Sequence, residues 1–542
     1  MKKKILSLLL VATLAIGVTA CGQSASSNDA SSEGKASESA DGYLKDTVTV
    51  ALSADGGTFD PYGSFVNWGQ ASMLELVYQG LVSTDYDYNV YYQVAKRIEQ
   101  VDDYTWEVEI WDSVKDTNGN QITMDDVIWC YDQVIASGNA GAIPKFDHWE
   151  KIDDYTGQMI LSEPFGAGDY EKHFSNAKIL SQATYEELGD MTQNPVGSGP
   201  YMLDSYVVNS EVVLTVNPDF WMDGVVDYEN PDSEYYNPMI IKTAKTFKYE
   251  IIQDASSRAI ALETGSVDIV DAMDASDVAN LSTNDDINVV NLPQRPPVTI
   301  VMNANSESVL SNQSLRQAIC YALDNEAIGD AIGLPYSVAY GFQPNMVDSP
   351  ESWSTGEGRD YYNYDVDKAA SLLSEAGYNG ETLTLLYVSS TANDAASIMI
   401  QSQLRAAGIN VELLNVDQTI AQQYKYEPDK WDIRLEIVGG GAYLAQTTKG
   451  WWSEDIIDFL TDDLKGCNTS LVVDEELDNL YVALKDDNSD ENIAAWDEYF
   501  NEKAYAYSIC SYSTQTCTAG DIELFDLATN GGLLTNCFKL TE

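Results

Sequence analysis

The sequence predicts an α/β protein. Helix, glycine and strand patterns alternate between residues 365 and 413, and period-two strands stand at residues 47–52 and 106–110. With 542 residues the chain is long enough for about three domains. Residues 47–52 (TVTVAL) alternate as a strand does. Leu74, Val77, Tyr78 and Leu81 recur at the spacing of one helix face. Trp106, Val108 and Ile110 alternate with charged residues, as in a half-exposed strand, and Asn118-Gly119 predicts a hairpin turn. Residues 315–328 have the apolar spacing of a core helix. Asp365 can accept from free backbone N–H groups as an N-cap. Ala369, Leu372, Leu373 and Ala376 follow as a buried stripe, and Gly377 fits a left-handed C-cap. A strand at 382–387, a helix at 395–407 closed by Gly408, and a strand through Ile409, Val411 and Leu413 complete the alternation. A largely parallel or mixed sheet follows from it. No repeat of 20 to 50 residues is visible.

Before the first strand stands a leader. Lys2, Lys3 and Lys4 precede an apolar run from Ile5 to Val18, then Ala20 and Cys21. A basic, apolar, small-residue succession reads as a signal peptide, and it is too short to span a bilayer. With Cys21 directly after Ala20 it resembles a bacterial lipoprotein signal. The resemblance implies removal of residues 1–20, lipid on the Cys21 thiol, and a chain held at the outer face of the cell membrane. Residues 21–45, rich in Ser, Ala and acidic residues, read as a disordered tether.

Asp and Glu number 86 against 29 Lys and Arg, a formal charge of −57. Such a chain repels nucleic acid and anionic lipid headgroups, and its acids form a solvated surface. Only two histidines occur, His148 and His173, and neither G-x-S-x-G nor H-E-x-x-H is present, so no enzyme is expected. Seven cysteines occur. Cys130 and Cys320 fall in apolar helical patterns as free core thiols. Cys467, Cys510, Cys517 and Cys537 leave their pairing open, with a Cys510–Cys517 bridge permitted in an oxidising compartment. No C-x-x-C exists, which argues against zinc or redox chemistry. Asp85, Asp87 and Asn89 begin like a calcium loop, but Val90 and Lys96 stand where Gly and Glu are needed. Neither metal nor cofactor is expected.

Seven collinear segments resemble family 5 solute-binding proteins of ABC importers, the oligopeptide, dipeptide and nickel-binding group. They are Thr58-Phe59-Asp60-Pro61 with Leu76-Val77-Tyr78-Gln79-Gly80-Leu81; Ile122-Thr123-Met124-Asp125-Asp126-Val127; Asn194-Pro195-Val196-Gly197-Ser198-Gly199-Pro200-Tyr201; Asn217-Pro218-Asp219-Phe220-Trp221; Arg258 with residues 261–268; and residues 315–319 running to Ala327-Ile328. The resemblance implies a two-lobed clamp of the periplasmic-binding-protein type (type II) with a third, family-specific domain. Lobe I would take residues 46–90, 194–292 and 505–542, the extra domain 91–193, and lobe II 293–504. The implied function is capture of a ligand, a peptide first and an oligosaccharide second, for delivery to a permease and ATPase complex by a monomeric receptor. A non-transport surface receptor on the same fold is the remaining alternative.

Peptide-binding members carry a loop resembling W-x-A-D-Y after a late strand, whose Asp holds the peptide ammonium. Here residues 431–438 are the strand and Gly439-Gly440-Gly441-Ala442-Tyr443 the loop. Ala442 leaves that carboxylate missing, an unfavourable state for a buried ammonium, and Glu436 is the candidate substitute. Gly439, Gly440 and Gly441 let backbone approach a ligand closely. Arg434 and Glu436 point away from Ile433, Leu435 and Ile437, toward ligand or onto a solvated face. Trp68, Trp451 and Trp452 are aromatic candidates for the cleft. In Asn194, Pro195, Gly197, Gly199, Pro200 and Tyr201, two Gly and two Pro within eight residues predict a fixed crossing with a structural role.

Overall fold

The structure is a computed structural model. It describes residues 43–540 apart from 63–67, 86–88, 138–142, 165–169, 190, 229, 272, 274, 293, 295, 347, 360–361, 439–443, 454–466, 525–535 and 537. The predicted leader, tether and Cys21 lie outside the described residues, as does Cys537.

Two large sheets form the body. The first has seven strands in the order Ile287–Asn291, Gln515–Ala519, Ile269–Val270, Lys45–Leu52, Ala244–Ile251, Glu211–Val216 and Tyr201–Val207. The second has six, in the order Tyr336–Val338, Ala506–Tyr512, Val298–Met302, Ile433–Ile437, Thr382–Val388 and Asn410–Val416. Both mix parallel and antiparallel pairs. A four-stranded antiparallel sheet (Ala95–Asp102, Thr105–Ile110, Thr156–Leu161, Phe146–Lys151) shares one core with the seven-stranded sheet.

The chain passes between the large sheets after Asn291 and again after Tyr512. These crossings lie side by side, with the Leu292 N–H donating to the Thr514 carbonyl at 2.9 Å. The return to the first sheet therefore begins after Tyr512 and not at 505, because Ala506–Tyr512 pairs with Val298–Met302.

Local chemistry accounts for most elements. Asp365 accepts from the Lys368 N–H at 2.8 Å, and Gly377 ends that helix at φ +67°. The following helix starts earlier than its apolar stripe, at Thr391, because Ser390 caps it. The expected helix over 315–328 is two helices, Gln313–Tyr321 and Asn325–Ile332. Asp324 separates them by capping the second, accepting from the Ala327 N–H at 3.2 Å. The helix Trp68–Val77 likewise stops before Tyr78 and Leu81. The motif 194–201 ends it: Gly199 donates to the Val77 carbonyl at 2.9 Å, and a Cβ on Gly197 would lie 2.1 Å from that same oxygen. No side chain fits there, which explains the glycines. Tyr201 Oη continues the bracing by donating to the Ala244 carbonyl at 2.7 Å.

Cys130, Cys320, Cys467, Cys510 and Cys517 are free and buried. The permitted Cys510–Cys517 bridge is thus not formed, since the two residues sit on strands of different sheets. Burial pushes the Cys510 and Cys517 thiols up to about 12 and about 11.

Candidate functional site

Thr382–Val388 and Ile433–Ile437 run parallel, so their carboxyl ends share one edge of the six-stranded sheet. That edge faces the crossings, because Ile437 pairs with Val298, the first strand residue after the chain leaves the seven-stranded sheet. Carboxyl edges of strands in such sheets are where ligands bind.

Residues 439–443, including Gly439, Gly440, Gly441, Ala442 and Tyr443, lie outside the described residues. Both shoulders of that loop are pinned from one segment. Gln343 Nε2 donates to the Val438 carbonyl. Asp348 accepts from the Leu444 N–H through both oxygens, at 2.8 and 3.1 Å, and from Asn488 Nδ2 at 2.7 Å. Gln343 Oε1 is buried and makes no hydrogen bond. Asp348 stands in a stretch without periodicity and gives no signal in the sequence.

Arg434 and Glu436 do not form a solvated face. The Arg434 side chain is 1% exposed and Glu436 32%. Arg434 Nη1 lies 3.1 Å from Glu436 Oε1, and the guanidinium stands over the Trp431 ring at 4.3 Å from its centroid. Nη2 donates to the Thr469 carbonyl at 3.4 Å. Nε and Nη1 make no hydrogen bond. Burial pushes the Arg434 pKa down, and the Glu436 charge opposes that shift. The arrangement places a cation inside the lobe and a half-exposed carboxylate at its edge. Among the described residues Glu436 Oε2 makes no hydrogen bond. It can receive a cationic donor without displacing the Arg434 contact.

The aromatic candidates divide. Trp451 is a core residue, edge-on to Phe342 at 4.9 Å and Phe500 at 5.2 Å. Trp452 stacks on Tyr481 at 5.3 Å with Lys485 over its ring. Trp68 opens the helix Trp68–Val77, and its side chain lies outside the described residues. His148 is exposed and paired with Asp147 at 2.7 Å on the strand Phe146–Lys151. No group of three or more metal-ligating side chains occurs among the described residues, and no helix among them is long and apolar enough to cross a membrane.

The profile of bacterial extracellular solute-binding proteins, family 5 middle region, matches residues 89–453. The probable D,D-dipeptide-binding periplasmic protein DdpA of Escherichia coli K12 is 26% identical over 462 residues, covering 80% of this chain and 82% of that protein. The substrate-binding protein CtaP of Listeria monocytogenes superposes with a TM-score of 0.74 at 20% identity, over 92% of this chain and 100% of that one. The oligopeptide-binding protein AppA of Bacillus subtilis, solved with a nonapeptide, gives 0.70 at 19% identity, over 92% and 99%. The structural likenesses carry the fold, a two-lobed clamp, and the profile match over most of the chain carries the family: this protein belongs to the bacterial extracellular solute-binding proteins of family 5.

Proposed function

We propose that this protein captures short peptides between its lobes and delivers them to the permease and ATPase subunits of an ABC importer. The observation that carries the reading is Glu436, a half-exposed carboxylate backed by the buried Arg434 charge at the carboxyl edge of the second sheet. It stands beside the loop whose matching position, Ala442, has no acid. Glu436 receives the peptide α-ammonium, and Arg434 is a positioning residue that holds one carboxylate oxygen. The names of the relatives, dipeptide-binding and oligopeptide-binding, support the ligand class. Lobe I comprises 46–90, 194–292 and the chain after 512, the extra domain 91–193, and lobe II 293–512. Lipid on Cys21 tethers a monomeric receptor to the outer face of the membrane.

Refolded, ligand-free protein should melt higher with pooled peptides, by about 2.7 kcal/mol of stabilisation at a hundredfold excess over Kd. N-acetylated peptides should bind at least about tenfold more weakly, and Glu436→Gln should erase that difference. A shift with oligosaccharides alone would overturn the peptide reading. An unchanged preference in Glu436→Gln would overturn the residue's role and leave the receptor function standing. Cys21→Ser should release the chain from membranes; continued association would refute the anchor.

A further inference from the structure

A cavity of about 280 Å³ opens in lobe II beside the strand Ala506–Tyr512. Its wall includes Tyr507 and Ser508 of that strand; Ser508 pairs with Thr299, whose other neighbour is Glu436, so this wall stands two strand spacings, about 10 Å, from Glu436. The cavity does not include Glu436 in its lining and approaches the size of a small-ligand pocket.

Three features give it a chemical character. Its rim is aromatic and open to solvent: Tyr340 is 38% exposed and Tyr364 53%. Its charge is of one sign, with Asp324 and Glu326 on the wall and no Lys, Arg or His among the described lining residues. Tyr507 Oη donates its proton to the Tyr362 carbonyl at 3.4 Å, so it can only accept from Asn325 Nδ2, at 2.9 Å. Asn325 Oδ1 makes no hydrogen bond and is closed off from solvent. Tyr362 holds the wall at φ +54°, a left-handed backbone that costs a non-glycine residue about 1 kcal/mol or more. Strained backbone of this kind gathers at ligand sites.

An aromatic rim and carboxylates without a compensating cation select against anions and for a compact organic cation. We propose that this cavity is a second binding site, for a small organic ammonium ion, independent of the ligand held between the lobes.

Calorimetry of the full-length protein with choline, at low ionic strength, tests this directly. Its neutral isostere 3,3-dimethylbutan-1-ol serves as the charge control. Choline should bind saturably, and the isostere at least about fivefold more weakly. Tyr364→Ala and Tyr340→Ala, both on the exposed rim, should each weaken choline by about fivefold while leaving peptide binding unchanged. Glu436→Gln should leave choline binding intact. No choline binding, equal affinity for the isostere, or loss in Glu436→Gln with none in Tyr364→Ala would overturn the proposal.

Discussion

Arg316 and Arg434 stand in the same lobe, both nearly inaccessible to solvent, and they place their donors differently. Arg316 gives Nη1 to the carbonyls of Leu310 and Ser311, at 2.8 and 3.1 Å, and Nε and Nη2 to the Lys503 carbonyl, at 2.9 and 2.7 Å. Its guanidinium also lies 5.0 Å from the Tyr505 ring centroid. Arg258 repeats the device in the other lobe, donating to the carbonyls of Ile252, Gln253 and Asp271. These arginines staple a helix to the loop before it. Arg434 has one long hydrogen bond, one aromatic face and one carboxylate. A saturated arginine is a structural tie; one that keeps donors unused beside a half-exposed acid is the arrangement the proposed peptide site would use.

Three measurements can break this contrast. The largest effect belongs to Arg316→Met, which strips partners from three carbonyls and should cost about 3 kcal/mol or more in denaturant unfolding. Arg434→Met replaces a buried charge by an apolar chain of similar length. It should change stability by about 1 kcal/mol or less while weakening free-amino peptides about tenfold, as calorimetry would read. Equal stability losses in the two variants would end the distinction. The smallest effect sharpens it through thiols. Cys320 shares the Arg316 helix, and Cys467 lies next to the strip that meets Arg434. Burial pushes both thiols up, so neither should react with iodoacetamide at neutral pH in the native protein. Arg316→Met should open Cys320 to the reagent, and Arg434→Met should leave Cys467 protected, as peptide mass mapping would record.

Much of the fold was legible because its causes are local. The Asp365 cap, the Gly377 stop and the glycines of 194–201 each answer to backbone constraints within a few residues. The single helix over 315–328 failed for a local reason too: the apolar spacing runs through Asp324, but a side chain able to cap a new helix outweighs it. The site was harder to read. Alternation of Arg434 and Glu436 with Ile433, Leu435 and Ile437 looks like a half-exposed strand. This strand lies between two others with cores packed on both faces, so alternation no longer separates inside from outside. Trp451 misled in the opposite direction, as a large aromatic near the expected cleft that the core absorbs. Asp348 holds the loop's far shoulder from a distant stretch of chain, which no local pattern announces.

The strand Gln515–Ala519 is interior to the seven-stranded sheet, between Ile269–Val270 and Ile287–Asn291. A chain emerging from its amino end must therefore complete the whole six-stranded lobe before the first sheet can close. Until then Ile287–Asn291 has no neighbour in that sheet, and Ile269–Val270 keeps a bare edge. The order of synthesis thus delays maturation of the first lobe until the second is complete.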